Sequence, residues 1–257
     1  MSKFTALPLQ EENTSNLFPK IRDSIAEDIK KARAKLLTIL SEVGYWHELS
    51  SKSSLNIVAA LYGIWIPTGT AVGIERVVVV SKGHMAPALY AWLAAEGVIG
   101  DDELLTFATP ESRLQSHLDA GRLDTVVTNS TGSLGQGLSI ANGIALAAKI
   151  DGVKREVAVI LGDGELDEGQ VWEAAATASS LGLDNVIAVV DRNMVQHTGP
   201  TEAVKPKEPL ASRWEAFGWY VMEVRNDALE IAAALESLAG VVERPKALIV
   251  RWESGRW

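Results

Sequence analysis

Short, wholly apolar runs alternating with helix-length segments predict an α/β protein: an open, mostly parallel sheet with helices on both faces. Three observations carry this. Residues 157–161 and 186–190 are β-branched and apolar throughout rather than alternating, as strands covered on both faces are. Between them, the alanine-rich segment 168–182 has helical composition and length, with acidic residues near its start and Gly182 at its end. A strand–helix–strand of that length is a parallel, right-handed crossover unit.

The remaining elements follow in chain order. Over 21–43, Ile21, Ile25, Ile29, Ala32, Leu36, Leu37 and Leu40 recur at helical spacing. Residues 55–65 are nearly all apolar and read as a buried helix. Between these two helices lies GYWHELSSKSS, where Tyr45 and Trp46 read as packing residues. A buried strand at 77–80 leads through SKGH into a helix beginning near His84, and 101–107 is a short helix. The loop to Asn129 contains His117. The glycine-rich opening of STGSLGQGLSIANGIALAAK runs into a helix, suited to presenting backbone amides to a ligand. Gly135, Ser139, Gly143 and Ala147 fall four apart on it, a face without bulk that suits close packing on a helix or on the sheet. Past a loop at 200–209 come a helix at 211–217, a strand at 220–224, a helix at 227–242 and a strand at 247–252.

The 257 residues are 47% hydrophobic, enough for one large α/β domain. We read 1–20 as an N-terminal arm and 21–257 as that domain. The formal net charge of −9, with no basic block, argues against a nucleic-acid partner. Without cysteine there is neither a disulfide nor a thiolate nucleophile. The first twenty residues lack a signal-peptide apolar core, and the longest apolar run, 57–66, is too short to span a bilayer. A cytoplasmic protein without a membrane partner is expected.

The chemistry centres on Gly162-Asp163-Gly164 and Asp191-Arg192-Asn193. Asp163 and Asn193 each follow the carboxyl end of a parallel strand, the edge where open α/β sheets bind ligands. Neighbouring strands lie about 4.8 Å apart, and hard oxygen ligands sit about 2.1 Å from a magnesium ion, so the two side chains can share one Mg²⁺. Taken singly, a GDG is better read as an ordinary βα turn. STGSLGQG lacks the Gly-Lys-Ser/Thr ending of a P-loop, and Asp167 stands where a dinucleotide fingerprint needs its third glycine.

The entire stretch from GDG to the strand-ending Asn193 resembles the thiamine-diphosphate-binding motif. SKGHMAPALYAWLAAEG, RLQSHLDA, STGSLGQGLSIANGIALAAK, GDGELDEG, DRNMVQHTGPTEAV and EPLASRWEAFGWYVMEV resemble, in order, the N-terminal, diphosphate-binding half of a transketolase. The resemblance covers about residues 20 to 250. It implies a thiamine diphosphate cofactor with Mg²⁺ held by Asp163, Asn193 and the carbonyl of Val195. It places His84 and Gly164 on the diphosphate, Gly132 and Leu134 along the cofactor, and His47, His84 and His117 near cofactor and substrate. Glu168 is expected at a subunit interface.

Three departures from the family pattern stand out. Its GHPGG segment is Trp46-His47-Glu48-Leu49-Ser50 here, Thr198 replaces an Asp, and the carboxyl end reads VRWESGRW. The catalytic glutamate of the family lies in a pyrimidine-binding domain that follows this one. The resemblance therefore implies one subunit of a split enzyme, completed in an α₂β₂ assembly by a chain carrying the C-terminal half and acting on small sugars. Alternative expectations are glycolyl delivery to a lipoyl or carrier-protein thiol, and a non-catalytic scaffold of the same fold.

Overall fold

The structure, a computed structural model, describes residues 17–44, 47–123 and 126–253. It begins with helices α1 (Leu17–Val43) and α2 (Glu48–Val58), a π-helical continuation (Ala59–Trp65) and α3 (Ile66–Ala71). Strand β1 (Glu75–Val80) leads into α4 (Ala86–Ala95), α5 (Asp101–Leu104) and α6 (Gly137–Asp151). The centre is β2 (Arg155–Gly162), α7 (Gly169–Ser180) and β3 (Val186–Arg192), followed by the small hairpin β4 (Val195–Gln196) and β5 (Gly199–Pro200). The chain continues through α8 (Thr201–Val204), α9 (Leu210–Ala216), β6 (Tyr220–Arg225), α10 (Ala228–Ala239) and β7 (Lys246–Arg251).

Five strands form one sheet in the order β1-β2-β3-β7-β6, and every neighbouring pair is parallel. Successive side chains of a strand point to opposite faces, so each central strand feeds two cores. Val78, Val80, Ala158 and Ile160 join Leu36, Ile57, Leu89 and Leu235 from α1, α2, α4 and α10. Val79, Val157, Val159 and Leu161 join Leu138, Ala145, Val171 and Trp214 from α6, α7 and α9. Each buried Val, Leu or Ile among them contributes about 1.5–3 kcal/mol. Helices thus cover both faces, as the uninterrupted apolar runs predict.

Beyond shifts of up to three residues at helix and strand ends, such as α5 stopping at Leu104 and α10 at Ala239, four boundaries differ from the sequence expectation. Residues 17–20, expected in the arm, already belong to α1, while residues 1–16 lie outside the described residues, as do Tyr45, Trp46 and the last four positions. Helix α2 begins at Glu48 rather than at 55, so the polar SSKSS is helical and its serines are buried. Three of the four hydroxyls find acceptors: Ser51 donates to the His47 carbonyl at 3.2 Å, and Ser53 and Ser54 to Asp191 at 2.6 Å and 3.1 Å. β3 runs on through Asp191 and Arg192, which stay in register with Val250 and Arg251 of β7 because both charges are paired. The loop at 200–209 holds the single turn of α8.

Helix α6 packs on the sheet through Leu138, Ala141, Ala145 and Ala148, and Asn142 donates to the Ala174 carbonyl of α7 at 2.9 Å. Ser139, Gly143 and Ala147 of the small-residue face are exposed, and only Gly135 is buried. Among the described residues no helix is long and apolar enough to cross a membrane.

Candidate active site

The site is built at the carboxyl ends of β2 and β3. Gly162 and Asp191 are register partners, so Asp163 and Asn193 leave adjacent strands on the same edge of the sheet. The Met194 amide donates to Asp163 Oδ2 at 2.8 Å, tying the second turn to the first. Asn193 Oδ1 accepts from the Val195 amide at 3.0 Å, and Met194 between them adopts φ of +68°, a conformation uncommon outside glycine. A Cβ on Gly164 would stand 2.8 Å from the Gln196 Cβ, so glycine is what lets the GDG turn and the β4 hairpin approach each other.

A cleft of about 600 Å³ opens over this edge. Of the sequence-predicted residues, His47, His84, Leu134, Asp163, Gly164, Asn193 and Val195 line it. His117 and Gly132 do not. A Cβ on Gly83 would lie 3.1 Å from His117 Cδ2, which places that ring against the SKGH turn. Gly132 is exposed on the glycine-rich loop, with φ of +151°.

The rings of His47 and His84 lie 4.9 Å apart, centroid to centroid. Burial, then the Lys82 ammonium, then the neighbouring imidazoles push His84 down to about 3. His47 is lowered by burial and by His117, His197 and Lys82, and His117 by burial. At neutral pH these are neutral imidazoles, able to accept and donate hydrogen bonds.

Buried charges outside the predicted set hold the walls in place. Lys82, 1% exposed, pairs with Asp191 at 2.5 Å, and the same Asp191 oxygen accepts from Ser53 and from Ser54 at 3.1 Å. This docks α2, and with it His47, onto the end of β3. Glu165 accepts from the Ser81 hydroxyl, from the Gly135 amide at 2.7 Å and from the Gly162 amide at 2.9 Å. One carboxylate thereby joins the start of SKGH, the glycine-rich loop and the end of β2. Burial raises its pKa, against the pull of those donors.

Sequence reasoning missed Lys82, Glu165, Gln196 and His197, all of which line the cleft. Lys82 and Gln196 lie inside motifs quoted above. Nothing in the spacing separates Glu165 from the other acids of GDGELDEG. His197 brings the fourth and last histidine of the chain to the cleft.

The donor chemistry suits a divalent cation bridging to an anionic ligand. Among the described residues no three His, Cys, Asp or Glu side chains converge on a metal position, so a cation here rests on a mixed set of carboxylate, side-chain amide and backbone carbonyl. Burial raises the Asp163 carboxyl, and the Arg192 guanidinium and the Met194 amide pull it down. Two buried polar atoms of cleft-lining residues, Ser50 Oγ and Gln196 Oε1, have no partner among the described residues, as fits a polar ligand seated between them.

Fold and cleft together define an α/β domain with a ligand-sized cleft at the carboxyl edge of a parallel sheet. The family described as "Transketolase, thiamine diphosphate binding domain" matches residues 70–255, and the chain belongs to it. It is 38% identical over 229 residues to the 6-deoxy-6-sulfo-D-fructose transketolase subunit SqwG of Clostridium sp. (strain MSTE9), covering 87% of this chain and 82% of that one. It is 35% identical over 234 residues to an apulose-4-phosphate transketolase subunit of Phocaeicola vulgatus, covering 88% and 82%. Transketolase from Leishmania mexicana superposes with a TM-score of 0.75 at 26% identity over 88% of this chain, which spans 36% of that longer one.

Proposed function

We propose that this chain is the N-terminal subunit of a split transketolase. It moves a two-carbon ketol unit from a ketose bearing an anionic group to an aldose-type acceptor, and a second chain carrying the pyrimidine-binding and C-terminal domains completes it in an α₂β₂ assembly. The observation that carries the reading is the meeting of Asp163, Asn193 and Val195 in one cleft with His47 and His84. The relatives' sizes support the division into subunits: the chain spans 82% of each of the two subunit-named relatives but 28% of human transketolase. Both subunit names specify a ketose carrying sulfonate or phosphate.

Asp163, Asn193 Oδ1 and the Val195 carbonyl would hold Mg²⁺, and His84 with the Gly164 turn would take the diphosphate. Bound thiamine diphosphate supplies the chemistry that makes and breaks the carbon–carbon bond. The chain's own work is orientation and proton handling. Neutral His47 and His84 face the cleft as hydrogen-bonding partners for substrate hydroxyls, and Leu134, on the cleft wall, would offer the cofactor an apolar contact. Leu49 and Ser50, where the family pattern has glycines, line the donor side and narrow it. Glu168 is exposed on the rim, which supports its reading as a residue facing the partner chain.

Calorimetry with thiamine diphosphate and Mg²⁺, with and without a co-expressed pyrimidine-domain chain, tests this. Cofactor affinity and ketol transfer that both depend on the second chain are expected. Full turnover by this chain without a partner, or partner binding with no gain in cofactor affinity, would overturn it.

A further inference from the structure

We propose that Arg192 is the positioning residue of the metal site: its guanidinium fastens Asp163 to the segment after Asn193, so that the three oxygen donors are presented as one unit. The inference rests on the reading of Asp163, Asn193 and Val195 as those donors.

Arg192 is the last residue of β3 and is 1% exposed. Its Nη1 donates to Asp163 Oδ2 at 2.9 Å and to Thr201 Oγ1 at 2.7 Å. Its Nη2 reaches Glu202 at 2.5 Å and Glu208 at 3.2 Å, and Nε reaches Glu208 at 3.4 Å. One side chain therefore spans from the end of β2 to Thr201, Glu202 and Glu208, which bracket the chain beyond the β4–β5 hairpin. That hairpin carries Val195. Glu202 in turn accepts from the Lys207 amide at 3.0 Å, and Arg251 supports Glu208 at 3.0 Å.

The consequence falls on the individual oxygens of Asp163. Oδ2 is taken by Arg192 and by the Met194 amide, whereas Oδ1, among the described residues, accepts only from the Gly164 amide. Oδ1 is thus the oxygen left open to a cation, in a fixed orientation. A guanidinium performs this task because its planar fork offers five donors in set directions; an ammonium is a point charge on a flexible stem. By charge alone Arg192 opposes a divalent ion beside Asp163. Geometry and charge therefore predict opposite signs for its removal.

The test uses the chain assembled with the co-expressed pyrimidine-domain chain, with Mn²⁺ as the probe and thiamine diphosphate present, following free Mn²⁺ by electron paramagnetic resonance. Arg192→Met is expected to weaken Mn²⁺ binding at least tenfold, with Arg192→Lys intermediate and faster amide exchange over 194–205 in both. Thr68→Val, which strips a hydrogen bond from the buried Arg76 cluster, controls for stability: it is expected to lower the melting temperature and leave Mn²⁺ affinity as it is. Wild-type or tighter affinity in Arg192→Met overturns the proposal, as does an equal loss in Thr68→Val. Should Arg192→Met not fold, wild-type Mn²⁺ affinity in Arg192→Lys overturns it. A wild-type assembly that takes up no Mn²⁺ with the cofactor sinks the metal-site reading and the clamp with it, whereas normal uptake by wild type and variants alike sinks only the clamp.

Discussion

His47 and His84 face each other with 4.9 Å between ring centroids, one from the start of α2 and the other from the turn after β1. Neither ring protonates easily, because burial and Lys82 act on both. The folded state keeps His84 neutral down to about 3, whereas the unfolded chain binds that proton near the ordinary value of 6.5. The sign follows. The contribution is complete above pH 6.5 and is lost as the pH falls from there towards 3, at about 1.4 kcal/mol per pH unit for one proton taken up on unfolding. Urea titrations of the cofactor-free chain between pH 7 and pH 4 should show this slope, and His84→Gln should flatten it. An unchanged slope in the variant would contradict the assignment.

Asp163→Ala removes one proposed metal donor and strands the Arg192 guanidinium. Breaking a buried ion pair from one side costs about 3–5 kcal/mol, here offset in part by Glu202 and Glu208, which keep hold of the cation. Thermal melting should therefore show a loss below that range. Thiamine diphosphate affinity in Mg²⁺, measured by calorimetry on the assembled enzyme, should fall at least a hundredfold.

Gly164→Ala separates cleft geometry from overall stability. The added methyl meets Gln196 Cβ at 2.8 Å, pushing the β4 hairpin from the GDG turn. Cofactor affinity should drop tenfold or more while the melting temperature changes by a few degrees. A variant with normal affinity would show that the two turns need not touch.

Glu165→Gln keeps the shape but turns one acceptor into a donor facing the amide of Gly135 or of Gly162. An unsatisfied buried group of this kind costs about 1–3 kcal/mol. Chemical denaturation should show that loss, with a matching loss of order in the glycine-rich loop by hydrogen exchange.

The sheet and both helical layers are legible in the sequence because apolar runs report burial on two faces. The carboxyl-edge placement of Asp163 and Asn193 follows from strand direction. What stays hidden is pairing between distant polar residues. Ser53 and Ser54 look like loop residues until Asp191 is beside them, which is why sequence pattern starts α2 too late by a helical turn or more. Arg192 reads as a polar strand terminator, yet the structure buries it among three carboxylates. Local pattern carries no signal for such partners, since each satisfies a charge set down far away in the chain.

The strand order also bears on how the molecule is made. β7 is the last of the five strands to be synthesised, yet it sits between β3 and β6, and each pairs with it rather than with the other. Until it emerges, β6 has no neighbour to hydrogen-bond, and the open flank of β3 offers a bare edge to any passing strand. The sheet closes only when Arg251 has cleared the ribosome, and until then the flank of β3 is the edge most open to wrong pairing.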